Sequence, residues 1–81
     1  MVVSLAMKTN KKNQLYCKIG ASIGNVRRKK GLNQAQLAEK VGLTTTYMGF
    51  LEQGHRVASV DVLAAIAKTL KVNLRDFFKG L

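Results

Sequence analysis

The sequence predicts an all-α fold of five short helices around one core, preceded by an N-terminal extension. Three observations predict it. Apolar residues recur at helical rather than alternating spacing through most of the chain. Ser, Thr or Asn stands just before four of the apolar runs, where helices take their N-caps. The 81 residues include no proline, which suits helices joined by short connections. A chain of this length is one small domain, since roughly 40 to 60 residues suffice for a compact helical core, and the 47% apolar content fits a globular fold.

Residues 1–12 read as the extension. VVSLAM is either a short strand, a flexible arm, or a strand that pairs with a partner chain, and KTNKKN after it is polar. The domain proper is residues 13–81. Its first helix is predicted from about Asn13 to Lys30. Leu15, Ile19, Ile23 and Val26 lie on one helical face. Gly20 and Gly24 interrupt it at about 1 kcal/mol each relative to alanine. They either permit close packing or delay the helix start to near Ile19. Arg27 to Lys30 close the last turn, where cations suit the helix dipole.

Asn33 is predicted to cap the second helix, with Gln36 as its capping-box partner. Leu37, Ala38 and Val41 form the buried face, and Ala38 is small where a second helix would cross. Gly42 ends the helix in the left-handed conformation that only glycine takes without a Cβ penalty. Leu43 is an apolar turn residue and Thr44 caps the third helix, about Thr45 to Gln53, which buries Met48 and Leu51 and stops at Gly54. HRVA is a loop. Ser59 caps the fourth helix, where Leu63, Ile66, Ala67 and Leu70 make the apolar face and Asp61 suits the first turn. Asn73 caps a short fifth helix, LRDFFKGL.

Charge narrows the function classes. The formal net charge is +10, which favours polyanion partners, DNA or RNA first, over solubility alone. Eight of the basic residues precede Gly31 with no acidic residue among them, a distribution that resembles a phosphate-contacting footprint. The single Cys17 excludes an internal disulfide and fits a reducing cytoplasm, as a buried structural thiol. VVSLAM is too short to span a membrane and has no basic segment before it of the kind a signal peptide carries. One His, one Cys and four scattered carboxylates offer no nucleophile, base and orienter, so no enzyme is expected. No metal-ligand spacing occurs and no cofactor is implied. A general RNA binder would want more surface aromatics for stacking.

LNQAQLAEKVGL, then TYM, then LEQGHR, then the S-x-x-x-L-x-x-I-A-K-x-L-x-V-x-L-x-x-F run from Ser59 are similar to the Cro/C1-type (phage-repressor-like, XRE) helix-turn-helix family. The resemblance covers about Ile19 to Phe78, and the helix-turn-helix with the E-x-G-x-R loop is more specific than the bare motif. The length and the NLRDFF ending also resemble the small controller proteins of restriction-modification systems.

The resemblance implies a lambda-repressor-like DNA-binding domain whose third helix enters the major groove while the second crosses the backbone. It implies base contacts from Thr45, Thr46, Gly49 and Phe50. None is an Arg, Asn or Gln, the side chains of strong bidentate readout, so DNA shape is expected to carry much of the specificity. Phe50 alternatively packs against Tyr47 or the loop. Phosphate contacts are expected from Gln34 and Thr44 at helix N-termini, and from Tyr47, Arg56, Arg28 and Lys29. Arg27 and Glu52 are implied as a structural ion pair. Phe77, Phe78 and Leu81 supply more apolar area than a short last helix needs and are expected at a symmetric homodimer contact. The alternative there is that both phenylalanines are core. The expected function is a cytoplasmic transcriptional regulator, a repressor or autoregulator, acting as a homodimer on a pseudo-palindromic operator in double-stranded DNA. The alternative is an antitoxin-type interaction module that also binds its own promoter and has a toxin as protein partner.

Overall fold

The computed structural model describes residues 2–81, with side chains from Gln14 onward. Four α-helices, α1 (Val2–Lys29), α2 (Gln34–Val41), α3 (Thr45–Gln53) and α4 (Val60–Leu70), are followed by a 3-10 helix, Leu74–Phe78. No strand forms among the described residues.

α1 departs from the predicted boundary. It runs from Val2 through the segment read as an extension, so VVSLAM is helical and not a strand. No proline or glycine precedes Gly20, and nothing there breaks the hydrogen-bonded ladder once it has nucleated. The later start near Ile19 is likewise not seen. Ile19 and Ile23 are buried, and Val26 packs against the core. Leu15 is 40% exposed and falls outside the core.

Gly20 and Gly24 are where α1 meets α3. A Cβ on Gly20 would overlap the Leu51 carbonyl oxygen and lie 2.7 Å from that of Glu52, so only glycine lets the two backbones approach this closely. Gly54 is constrained twice. It ends α3 at φ 81°, and a Cβ there would lie 2.6 Å from Cys17 Sγ. Cys17 itself is exposed rather than buried, and its Sγ donates to the Gln53 carbonyl at 3.5 Å. The thiol lies over the rim of the α3 terminus instead of inside the core.

α2, α3 and α4 follow the predicted caps. Asn33 Oδ1 accepts from the Gln36 N–H at 2.7 Å while Gln36 Oε1 accepts from the Asn33 N–H at 2.8 Å, a complete capping box. Thr44 Oγ1 accepts from Tyr47 N–H at 3.0 Å, and Ser59 Oγ from Val62 N–H at 3.3 Å. Gly42 ends α2 at φ 77°, and the Leu43 N–H returns to the Ala38 carbonyl at 2.8 Å. α4 ends without a glycine: Lys71 takes the left-handed conformation at φ 61°.

The last element is a 3-10 helix, not the α-helix expected from LRDFFKGL. An i to i+3 hydrogen bond from Asp76 N–H to the Asn73 carbonyl tightens the first turn into 3-10 geometry. In 3-10 geometry residues three apart share a face. Leu74 and Phe77 therefore both turn inward, Phe77 completely. Asp76 accepts from the Asn73 N–H at 3.2 Å and pairs with Lys79 at 3.1 Å. The Lys79 ammonium holds the Asp76 carboxyl below the usual carboxylate range.

Leu37, Met48, Ile66, Leu70 and Phe77 make the centre of the core and are all but inaccessible to water. Each contributes about 1.5–3 kcal/mol by leaving water. α1 packs on α3 and on the 3-10 helix, and α2 packs on α3 and α4, so α3 has its inner side clamped between the two helices that precede it.

Candidate nucleic-acid interface

α3 divides sharply between its two sides. Met48 and Leu51 are buried, and Glu52 is nearly so. Thr45, Thr46 and Phe50 are exposed and Gly49 is half-exposed, so the helix turns short and apolar side chains outward. Phe50 packs against the loop, the second of the two alternatives named for it. Its ring meets the His55 ring edge-on, with centroids 6.1 Å apart at 84°, while the phenyl remains 40% exposed. Tyr47 is half-buried against the core.

Behind that outward face lies the most densely bonded polar cluster among the described residues. Arg27 Nε donates to Glu52 Oε2 at 2.7 Å and Nη2 to Glu52 Oε1 at 3.0 Å, the two-pronged geometry that suits guanidinium and carboxylate. Arg27 Nη1 donates to the Leu32 carbonyl at 2.8 Å, tying the turn before α2 into the same cluster. Both side chains are less than a tenth exposed. The pair links α1 to α3, and it neutralises the one carboxylate that α3 carries. An unneutralised carboxylate there would repel a phosphate backbone.

Gln34 joins this cluster. Its Nε2 donates to Glu52 Oε1 at 3.0 Å, so the side chain is held inward toward α3 rather than extended into solvent. The α2 N-terminus still offers backbone donors. The capping box occupies the N–H groups of Asn33 and Gln36, which leaves those of Gln34 and Ala35 for an anion. At α3, Thr44 occupies the Tyr47 N–H and leaves those of Thr45 and Thr46.

The basic residues separate into two groups. Arg28 lies near the cluster: a Cβ on Gly24 would be 3.1 Å from Glu52 Oε1 and 3.3 Å from Arg28 Nη1. Arg28 Nη2 is also steadied by Asn25 Oδ1 at 2.7 Å. Lys29, one position on, instead borders an open cleft beside the 3-10 helix, together with Lys30 and Lys79. Arg56 is exposed in the loop after α3.

One of the remaining expectations changes. Phe77, expected at a dimer contact, is wholly buried beneath α1 and α4 and presents nothing to a second copy. Phe78 and Leu81 stay 37% and 51% exposed. Gln53 was overlooked. It is exposed, three residues after Phe50 and four after Gly49, and so belongs to the outward face of α3. Helical spacing alone would have found it.

Residues 23–77 match the model of the helix-turn-helix family. A 10 kDa protein of the immF control region of Bacillus phage phi105 is 33% identical over 57 residues, covering 70% of this chain and 63% of the phage protein. An uncharacterized HTH-type transcriptional regulator of Mycobacterium tuberculosis is 39% identical over 54 residues, covering 67% of this chain and 39% of that protein. The chain thus spans less than two thirds of the length of either relative. Among solved structures, the clp gene regulator ClgR from Corynebacterium glutamicum matches with a TM-score of 0.76 at 28% identity, covering 79% of this chain and 68% of that one. The restriction-modification controller protein C.AhdI from Aeromonas hydrophila matches with a TM-score of 0.75 at 33% identity, covering 78% of this chain and 96% of that one.

Proposed function

The chain belongs to the Cro/C1-type helix-turn-helix family of DNA-binding transcription regulators, and from that premise we propose that it acts as a homodimer on a pseudo-palindromic operator, as a repressor or autoregulator in the cytoplasm. One observation carries the reading. α3 offers an outward face without charge, and its single carboxylate is held by Arg27, so the helix can enter a groove walled by phosphates. Thr45, Thr46, Gly49 and Phe50 then meet base edges. Backbone N–H groups at Gln34 and Thr45 receive phosphates, with Thr44, Tyr47, Arg28 and Arg56 flanking them. The geometry gives Lys29 less support, because it borders the cleft beside the 3-10 helix.

Dimerisation follows from scale. One α3 reads only a few base pairs, and two placed about 34 Å apart read an inverted repeat. Phe78 and Leu81 are the exposed apolar residues at the C-terminal end that suit the contact. Occupancy then rises steeply with protein concentration, which suits a regulator of its own synthesis.

Selection from a random double-stranded DNA pool tests the operator, and sedimentation tests the dimer. The expected results are an enriched inverted repeat and a dimer that Phe78→Ser or Leu81→Ser dissociates. A monomer at high micromolar concentration, or a pool with no enriched sequence, would overturn the reading.

A further inference from the structure

We infer that Gln34, a residue of α2, is a base reader: its side-chain amide, set by Glu52 and lying over Gly49, takes an adenine in the major groove. The inference rests on the DNA-binding reading above and departs from the phosphate contact expected of this side chain.

The orientation of the amide follows from its neighbour. Glu52 Oε1 already accepts from Arg27 Nη2 at 3.0 Å, and an ionised carboxylate has no hydrogen to give. The atom of Gln34 facing it at 3.0 Å must therefore be the nitrogen. Reversing the amide would set oxygen against oxygen. An amide nitrogen carries two N–H groups, and Glu52 takes one. With Glu52 on the N–H trans to Oε1, the second N–H and Oε1 form an edge with one donor and one acceptor, and Oε1 makes no hydrogen bond among the described residues.

That edge points to the reading face. Oε1 lies 3.8 Å from where a Cβ of Gly49 would stand. Gly49 is costly in a helix, and nothing among the described residues forbids a side chain there. Its bareness leaves a shallow gap on α3 over which the Gln34 amide sits. A donor beside an acceptor is the complement of adenine N7 and N6, which glutamine reads in bidentate fashion. A phosphate oxygen, by contrast, accepts from the second N–H alone and leaves Oε1 without a donor. Thr45, Thr46, Gly49 and Phe50 hold no bidentate reader; Gln53 is the one glutamine on that face, at the C-terminal end of α3, and Gln34 supplies a second from the neighbouring helix beside Gly49. Glu52 acts through it as a positioning residue, with Arg27 fixing the carboxylate in turn.

The test is competition binding of the full chain to its selected operator and to operators with each base pair replaced in turn. Wild type is expected to show one symmetric pair of adenines whose replacement weakens binding about ten- to a hundredfold. Gln34→Ala should lose that preference while keeping its affinity for random DNA. Gly49→Ala should melt at a higher temperature, as alanine favours a helix, yet lose preference at the same adenines because its methyl fills the gap. Equal weakening of Gln34→Ala on operator and random DNA would mark a phosphate contact and overturn the inference. Retained adenine preference in either variant would overturn it too. In both cases the operator reading stands. A pool without any enriched sequence would overturn that reading, and this inference with it.

Discussion

The two faces of α3 obey different rules. The inner face is overdetermined: Met48 and Leu51 fill the core, Glu52 is held by two side chains, and the Leu51 and Glu52 carbonyls press against Gly20. The outer face is less constrained, with Thr45, Thr46 and Gln53 exposed and the Phe50 ring edge-on to His55. Stability is therefore concentrated on one side of the helix, and the proposed reading puts recognition on the other. Changes to the outer face should alter which DNA is bound without unfolding the protein. Changes to the inner face should unfold it whatever the DNA.

The largest effect is expected at Glu52. Glu52→Ala leaves a buried guanidinium without its carboxylate, at about 3–5 kcal/mol, and frees the Gln34 amide. A melting temperature equal to wild type would show that the inner face is not held by this pair. Next comes Gly20→Ala. Alanine gains up to about 1 kcal/mol in helix propensity, but its methyl meets backbone oxygens that cannot rotate away. A net loss of about 1–3 kcal/mol is expected, measured by denaturant titration with the slope unchanged. A stable Gly20→Ala protein would mean that α1 and α3 can separate without cost.

Phe50→Ala probes the outer face. Losing the edge contact with His55 should cost about 0.5–1 kcal/mol of stability at most, while binding to the operator should fall more than binding to random DNA. Equal loss on both would assign Phe50 to packing. The smallest effect is expected far from either face, at Lys71. A non-glycine residue in the left-handed region costs about 1 kcal/mol, and glycine returns part of that through greater freedom when unfolded. Lys71→Gly should raise stability by roughly half a kcal/mol with no change in DNA binding, a control for the separation of the two functions.

Local signals were legible where chemistry acts over three or four residues. Asn33 with Gln36, Thr44 and Ser59 cap as their residue types predict, and Gly42 and Gly54 end helices in the left-handed region. The C-cap at Lys71 was not legible, because a lysine there carries no signal and the helix ends only when the chain must turn Leu74 and Phe77 into the core. The last helix was misread for a related reason. Its residues can form either helix type, and the tight Asn73–Asp76 turn with two inward residues three apart selected the 3-10 form.

The sequence by itself determined the all-α class and most helix boundaries and caps, while Thr45, Thr46, Gly49 and Phe50 came from the family resemblance. Periodicity and capping are properties of neighbouring residues, so they can be read in one dimension. Only the tertiary structure decided what Gly20 is for, that Phe77 belongs to the core, and that the Gln34 amide is turned by Glu52 toward Gly49. Each of these depends on atoms brought together from different helices, and no local pattern records which carbonyl, ring or carboxylate a side chain will meet.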